Sequence, residues 1–458
     1  MQWKMNMKQP NIDVGVMAEP KIEFSLSGKF LLNNKPFNDG VYSAEISEGQ
    51  IIIKQKENNI SSGKEIVLVA NNKCSFELKG VTIGVDFHWE QQENQKFQGT
   101  LKLIAEGDKV RAINVVGLEN YLKSVISSEM SATSSLNLLK AHAIISRSWL
   151  LAQIEKSNSL KNTNSIYQTS TETEDEIIRW YDREDHDTFD VCADDHCQRY
   201  QGITKIHSEK AVQAVEETFA EILVLEGEIC DARFSKCCGG LSENFENVWE
   251  PVRHKYLTKV VDSEFGDTTC VDLRVEEEAD LWIRNKPHAF CNTTDKNVLS
   301  QVLPDFDQTT TDFYRWKVEY SQQEISELLK KRSGIDFGEI VKMEAIKRGH
   351  SSRIIKLKIT GTKKTLTIGK ELVIRKWLSE SHLYSSAFVI DHLEIENKIP
   401  QKIVLTGSGW GHGVGLCQIG AAVMGEKGYS YKEILNHYFR SAELTKLYID
   451  ETSIPRTK

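Results

Sequence analysis

Between residue 12 and about residue 115 the chain alternates apolar and polar positions in short runs bounded by Gly, Asn and Ser. Residues 21–26, 50–56, 65–69 and 99–105 predict strands on this pattern. At Leu118 the period changes. Leu118, Leu122, Val125 and Ile126 share one helical face, and the next step of that stripe falls on Glu129. A carboxylate therefore stands where an apolar residue belongs. Ser134 or Ser135 can cap a second helix, expected over residues 136–154, apolar nearly all round and hence buried. Residues 160–200, rich in Thr, Glu and Asp, read as a loop or insertion. Farther on, the pattern predicts a short helix at 210–217, strands at 221–225 and 316–320, a helix at 323–332 and a hairpin at 340–360, with residues 262–315 irregular. Ser430 and Glu433 form a capping box that opens a helix over 431–439. The expected fold class is α+β: a β-rich part over residues 1–115, then a core over 116–450 with a polar insertion near 160–200.

The chain has 458 residues, 40% hydrophobic and 27% charged, an ordinary folded composition with room for two or three domains. Its net charge is −9 and it has no dense Lys/Arg run, which argues against a nucleic-acid partner. No stretch approaches the roughly 20 apolar residues of a membrane span. The opening residues 1–17 carry no apolar signal core, so an exported protein would have lost its leader or have a misassigned start.

Nine cysteines cannot form a complete set of intramolecular disulfides. His186, Cys192, His196 and Cys197 fall close together, and thiolates with imidazoles are zinc ligands, usually four in a closed structural site. The Cys-x4-Cys spacing is wider than a zinc ribbon's and also suits a disulfide between Cys192 and Cys197, or free thiols. Ser235, Gly239 and Gly240 follow a strand. Adjacent glycines admit close approach of a ligand to the backbone, or simply a tight turn. Cys237 and Cys238 have no base fixed by spacing and read as buried thiols. The segment 409–415, with Trp410 and His412, is glycine-rich and precedes a helix, but lacks the Lys-Ser/Thr of a phosphate loop. Lys140 and Arg147 share a face of the second helix. Two cations there need partners.

Four segments, in order, carry a resemblance: LENYLKSVISSEMSATSSLNLLKAHAIISRSWL (118–150), VCADDHCQRYQG (191–202), FSKCCGGLSENFENVW (234–249) and GSGWGHGVGLCQIGAAVMGEKGYSYKEILNHYF (407–439). Together they resemble the SpoIID/LytB family, bacterial cell-wall proteins that cleave, or help cleave, peptidoglycan glycan strands. Ser131, His142 and Trp149 stand where that pattern has Pro, Gln and Tyr.

The resemblance implies a SpoIID-like core around one substrate cleft and an extracytoplasmic location. It implies a lytic transglycosylase acting between MurNAc and GlcNAc, with Glu129 as the single catalytic acid/base. A general acid must be protonated near neutral pH, and an apolar surrounding disfavours a carboxylate anion. Ordinary glycosidases need two carboxylates; attack by the sugar's own 6-hydroxyl needs one. In this reading Lys140 and Arg147 bind the lactyl carboxylate or N-acetyl oxygen, or else pair with internal acids. Ser235, Gly239, Gly240, Trp410, His412 and Gln418 line the substrate groove, with Tyr438 a weaker candidate. Some family members bind zinc through a His and two Cys in the second segment, matching His186, Cys192 and Cys197, with His196 an alternative. Such a zinc would be structural, and catalysis needs no cofactor. The rival implied by the LytB-type name is a non-enzymatic glycan-binding enhancer of a cell-wall amidase. A zinc-dependent hydrolase is the third class.

Overall fold

Alternation in the N-terminal part buries one face of each strand. In Lys21–Ser27, Ile22, Phe24 and Leu26 are buried while Lys21, Glu23 and Ser27 are exposed, and a slip of one residue would turn the apolar set outward. In the computed structural model, which describes residues 8–70, 74–84, 90–163, 169–180, 186–194, 196–206, 208–264, 271–302 and 310–448, these strands build two sheets. One has six strands in the order Gln91–Gln98, Ser75–Ile83, Lys21–Ser27, Gly40–Ser47, Gln50–Gln55, Asn58–Gly63. The other has seven, in the order Val191–Cys192, Asn11–Glu19, Lys109–Gly117, Thr100–Glu106, Glu65–Ala70, Phe30–Leu32, Lys35–Phe37. Both contribute to one apolar core, with Phe24, Phe76, Leu103 and Ala112 among its members. The two-residue strand Val191–Cys192 joins the edge of the larger sheet in parallel with Asn11–Glu19, Val14 opposite Val191. It carries the first half of the Cys/His cluster onto the fold.

The strand Lys109–Gly117 runs directly into helix α1 (Leu118–Glu129), whose buried face is Leu118, Tyr121, Leu122, Val125 and Ile126. Helix α2 (Leu136–Thr163) begins where the Ser135 hydroxyl accepts a hydrogen bond from the Leu138 N–H at 3.3 Å. It runs nine residues past the expected end at 154. The same core continues through α3 (Glu209–Glu217), the strand Glu221–Leu225 and the C-terminal helices Gln418–Glu426 and Tyr431–Tyr438. The last of these opens with the Ser430/Glu433 capping box.

A second core lies in the middle of the chain, around Trp316, Leu329, Phe337, Ile359, Ile368, Phe388 and Leu405. Its strands form a five-stranded sheet, containing the hairpin Ile340–Arg348/Ile354–Gly361, and a three-stranded sheet of Arg315–Ser321, Ile399–Ser408 and Phe388–Glu396. Two expectations are corrected here. Residues 160–200 are not only loop: Ser170–Glu172 and Glu176–Arg179 extend the five-stranded sheet, the latter in parallel with Thr365–Gly369. They are only three and four residues long, and the first is the edge strand, so the apolar signal is weak. Residues 262–315 include helices Glu276–Asn285 and Lys296–Val302. The first places three glutamates in its opening turn, favourable at the positive end of the helix dipole, and buries only Ala279, Trp282 and Ile283. Cys270 and residues 1–7 lie outside the described residues.

Candidate active site

Glu129 ends α1 at the rim of a cleft of about 1010 Å³. Its lining combines residues of both cores: Glu129, Trp149, His196, Cys197, Arg233, Phe234, Trp249 and His412 from the first, with Glu371, Arg375 and His382 from the second. The carboxylate is half-buried and fixed on one side. Its Oε1 accepts a hydrogen bond from the Arg199 backbone N–H at 3.0 Å, whereas Oε2 has no hydrogen-bond partner among the described residues.

The segment that holds Glu129 is itself tied to α1. The Tyr200 ring stacks on Tyr121 at 5.0 Å, the Gln201 N–H donates to the Ser124 hydroxyl at 3.2 Å, and the Tyr121 hydroxyl reaches Gln198 Oε1 at 3.3 Å. Immediately before it comes the Cys/His cluster. His186, Cys192, His196 and Cys197 each offer a ligand atom within 4.8 Å of the others. Cys197 Sγ lies 3.4 Å from His186 Nε2 and 3.6 Å from His196 Nδ1, and Cys192 Sγ lies 3.9 Å from His196 Nδ1. Hydrogen bonding from Cys197, and then from the two imidazoles, outweighs burial and holds the Cys192 thiol far below its ordinary value. Two thiolates and two imidazoles at this spacing suit tetrahedral zinc. His196 and Cys197 also belong to the cleft wall.

His412, also in the lining, is kept neutral. Burial, followed by the charge of Arg233, holds its imidazole well below the usual value. Its Nδ1 accepts from the Val414 N–H at 3.1 Å, which puts the ring proton on Nε2. Trp249 meets this ring edge-on at 4.9 Å. The Arg233 guanidinium lies 4.2 Å from the Trp249 ring and 5.8 Å from Trp149, oriented by two hydrogen bonds to Asp231 at 2.6 and 2.9 Å. Glu371 is a second carboxylate in the lining, but it is paired with Arg375 at 3.1 Å and its side chain is nearly inaccessible.

Of the groove residues expected from sequence, Glu129 and His412 line the cleft. The others are placed elsewhere, for identifiable reasons. Arg147 is fully buried and forms a two-pronged pair with Glu119, Nε–Oε1 3.0 Å and Nη2–Oε2 2.7 Å, and donates to the Glu221 carbonyl at 2.9 Å. It is the internal-acid alternative that holds. Lys140 pairs with Glu217 and lies 5.6 Å from the Tyr431 ring. Gln418 is buried, with Nε2 at 3.2 Å from His142 Nε2. Tyr438 is buried and donates to Asp262 at 2.6 Å. Trp410 stacks on Phe313 at 4.6 Å and meets Tyr384 at 4.5 Å. Ser235 is buried under the same layer. Gly239 and Gly240 make a turn with φ of +81° and +105°. A side chain at Gly240 would meet Trp282 and Tyr314 at 3.0 Å, so the turn packs against protein.

Trp149, Arg233 and Trp249 were missed as cleft residues although each lies within or beside a quoted segment. Glu371, Arg375 and His382 carry no motif. They reach the cleft only because the second core folds back onto the first.

Residues 106–225, which include α1, α2 and the Cys/His cluster, match the family described as stage II sporulation protein (SpoIID). Residues 243–415, which include the second core, match a family described as a domain of unknown function. An uncharacterized protein of Brachyspira hyodysenteriae is 25% identical over 427 residues, covering 92% of this chain and 88% of that protein. The amidase enhancer of Bacillus subtilis is 25% identical over 333 residues, covering 71% of this chain and 40% of that protein. With the four ordered segments, these matches support the chain's similarity to the SpoIID/LytB family.

Proposed function

We propose that this protein is a peptidoglycan lytic transglycosylase of the bacterial cell wall, acting outside the cytoplasm on MurNAc–GlcNAc strands with Glu129 as acid and base. The observation that carries the reading is the setting of Glu129: one oxygen pinned by the Arg199 N–H, the other with no hydrogen-bond partner among the described residues, in the lining of the cleft. Similarity to that family supports the cell-wall setting.

In this mechanism protonated Glu129 gives its proton to the glycosidic oxygen as the bond from the MurNAc anomeric carbon breaks. The carboxylate then takes the proton of the MurNAc 6-hydroxyl, whose oxygen bonds to that carbon. No water is consumed, and the product ends in 1,6-anhydro-MurNAc. Neutral His412 adds no competing positive charge to this wall, and Arg233, held between two tryptophans, is placed to attract the lactyl carboxylate.

His186, Cys192, His196 and Cys197 would hold a structural zinc, which supplies a rigid four-ligand tether and no step of the reaction. Its chemical consequence is local. It would fix the segment that begins at Cys192 and ends on Arg199, whose N–H orients Glu129.

The name of the Bacillus relative favours a second reading, a glycan-binding enhancer of a cell-wall amidase. Digestion of purified, peptide-free glycan strands separates the two. The enzyme releases fragments with anhydro ends; an enhancer binds the strands, leaves them intact, and raises the rate of an added amidase on whole peptidoglycan.

A further inference from the structure

Away from the cleft, a second group of metal-ligating side chains lies wholly within the protein. Cys238, Asp262, Cys291 and Cys417 are all buried, and their ligand atoms lie within 4.8 Å of one another. They come from four separate segments. Cys238 opens the Gly239–Gly240 turn, Asp262 lies beside it through its own N–H to the Gly240 carbonyl at 3.1 Å, Cys291 follows the helix Glu276–Asn285, and Cys417 ends the strand Leu416–Cys417. We propose that this tetrad is a structural site for a single zinc ion, distinct from the Cys/His cluster at the cleft.

Four observations carry the assignment. The donor set is three thiols and one carboxylate, and zinc takes four such ligands in a tetrahedron. Cys238 Sγ and Cys291 Sγ are 3.6 Å apart, close to the edge of about 3.8 Å that bonds of about 2.3 Å require. A buried carboxyl with no cationic partner is a further reason to expect an ion. Asp262 is fully buried, and no Lys, Arg or His among the described residues pairs with it. It is held instead by neutral donors, the Cys291 N–H at 2.9 Å and the Tyr438 hydroxyl at 2.6 Å. An isolated carboxylate inside a protein is costly; a divalent cation among the thiols would pair with it directly. Finally, the surroundings resemble a second shell that orients ligands. Tyr438 and the Cys291 amide aim the carboxylate, the Cys238 N–H donates to Cys417 Sγ at 3.2 Å, and Gly420 lets the following helix approach where any Cβ would collide with Asp262 and Tyr438. On binding, each cysteine gives its proton to solvent and ligates as thiolate.

The site would bind the third and fourth family segments together. The strand Phe234–Ser235 pairs in parallel with Leu416–Cys417, and Phe234 in this ladder and His412 shortly before it form part of the cleft wall. The zinc would therefore act as a staple beneath that wall, joining residues 179 positions apart.

The test uses the full chain carrying Cys192→Ser and Cys197→Ser, which removes both thiolates of the cleft cluster and leaves the core intact. Elemental analysis is expected to find about one zinc per chain, and zinc-edge X-ray absorption to find three sulfur neighbours and one oxygen. Adding Cys291→Ser should remove the metal, and the absorption spectrum of the intact tetrad locates the ion even where that third change prevents folding. Absence of stoichiometric zinc, a coordination sphere rich in nitrogen, or a disulfide joining any of Cys238, Cys291 and Cys417 in a non-reducing digest would overturn the proposal.

Discussion

Arg147 offers a sharp test of whether the packing is understood, because its sequence position suggested a ligand and its surroundings give it a structural task. The Arg147 side chain has no exposure and that of Glu119 has 7%. Glu119 also accepts from the Ala220 N–H at 3.3 Å and from the Tyr448 hydroxyl. One ion pair thus joins α1, α2, the turn before the strand Glu221–Leu225 and the chain's C-terminal part. Arg147→Met keeps most of the apolar volume but strands a buried carboxylate. Breaking a buried pair from one side costs about 3–5 kcal/mol, a large share of the ~5–15 kcal/mol that holds an ordinary domain folded. Urea titration followed by two probes, fluorescence and far-UV circular dichroism, should show the unfolding free energy fall by that amount, with a lower midpoint. Because the pair acts as a unit, Arg147→Met with Glu119→Gln should lose less than the sum of the single changes. A loss below about 1 kcal/mol in the single variant, accompanied by weaker glycan binding, would refute the structural assignment and return Arg147 to the substrate.

His142 and the Cys/His cluster give further tests. Burial drives the His142 value down from 6.5 to about 4, partly opposed by Glu129 and reinforced by Lys236. The unfolded chain takes up this proton first as acid is added. The stabilisation is therefore complete above pH 6.5 and is lost as pH falls toward 4. The full loss is about 3 kcal/mol, and His142→Gln should flatten the stability–pH curve across that window; an unchanged curve would mean that His142 is solvated. Cys197→Ser should lower the zinc content by about one ion per chain and reduce strand cleavage several-fold through the loosened Arg199–Glu129 contact. Full zinc retention would remove Cys197 from the ligand set.

Much of this site was legible because local patterns set it. Glu129 was marked by breaking the apolar stripe of α1, and the structure puts it at the cleft rim for the same reason: the stripe faces the core and its last member emerges. The cluster at 186–197 was visible from spacing alone, since nearby ligands need only one tight loop. The errors lie where contacts are long-range. Trp410 and Arg147 are residue types that often meet ligands, and only tertiary packing shows one stacked on Phe313 and the other locked to Glu119. Glu371, Arg375 and His382 belong to a different core from Glu129, so no spacing rule connects them. The Cys238, Asp262, Cys291 and Cys417 tetrad was equally hidden: of its members only Cys238 stood out in the sequence, as a buried thiol.

The central claim, a single-carboxylate reaction at Glu129, is tested most directly by digesting peptide-free glycan strands in heavy-oxygen water with the native protein and with Glu129→Gln, and weighing the fragments. The account predicts anhydro-MurNAc ends that carry no heavy oxygen from the native protein and no fragments from the variant. Reducing ends labelled with heavy oxygen would contradict it, since water would then be the nucleophile and a second carboxylate such as Glu371 would be needed.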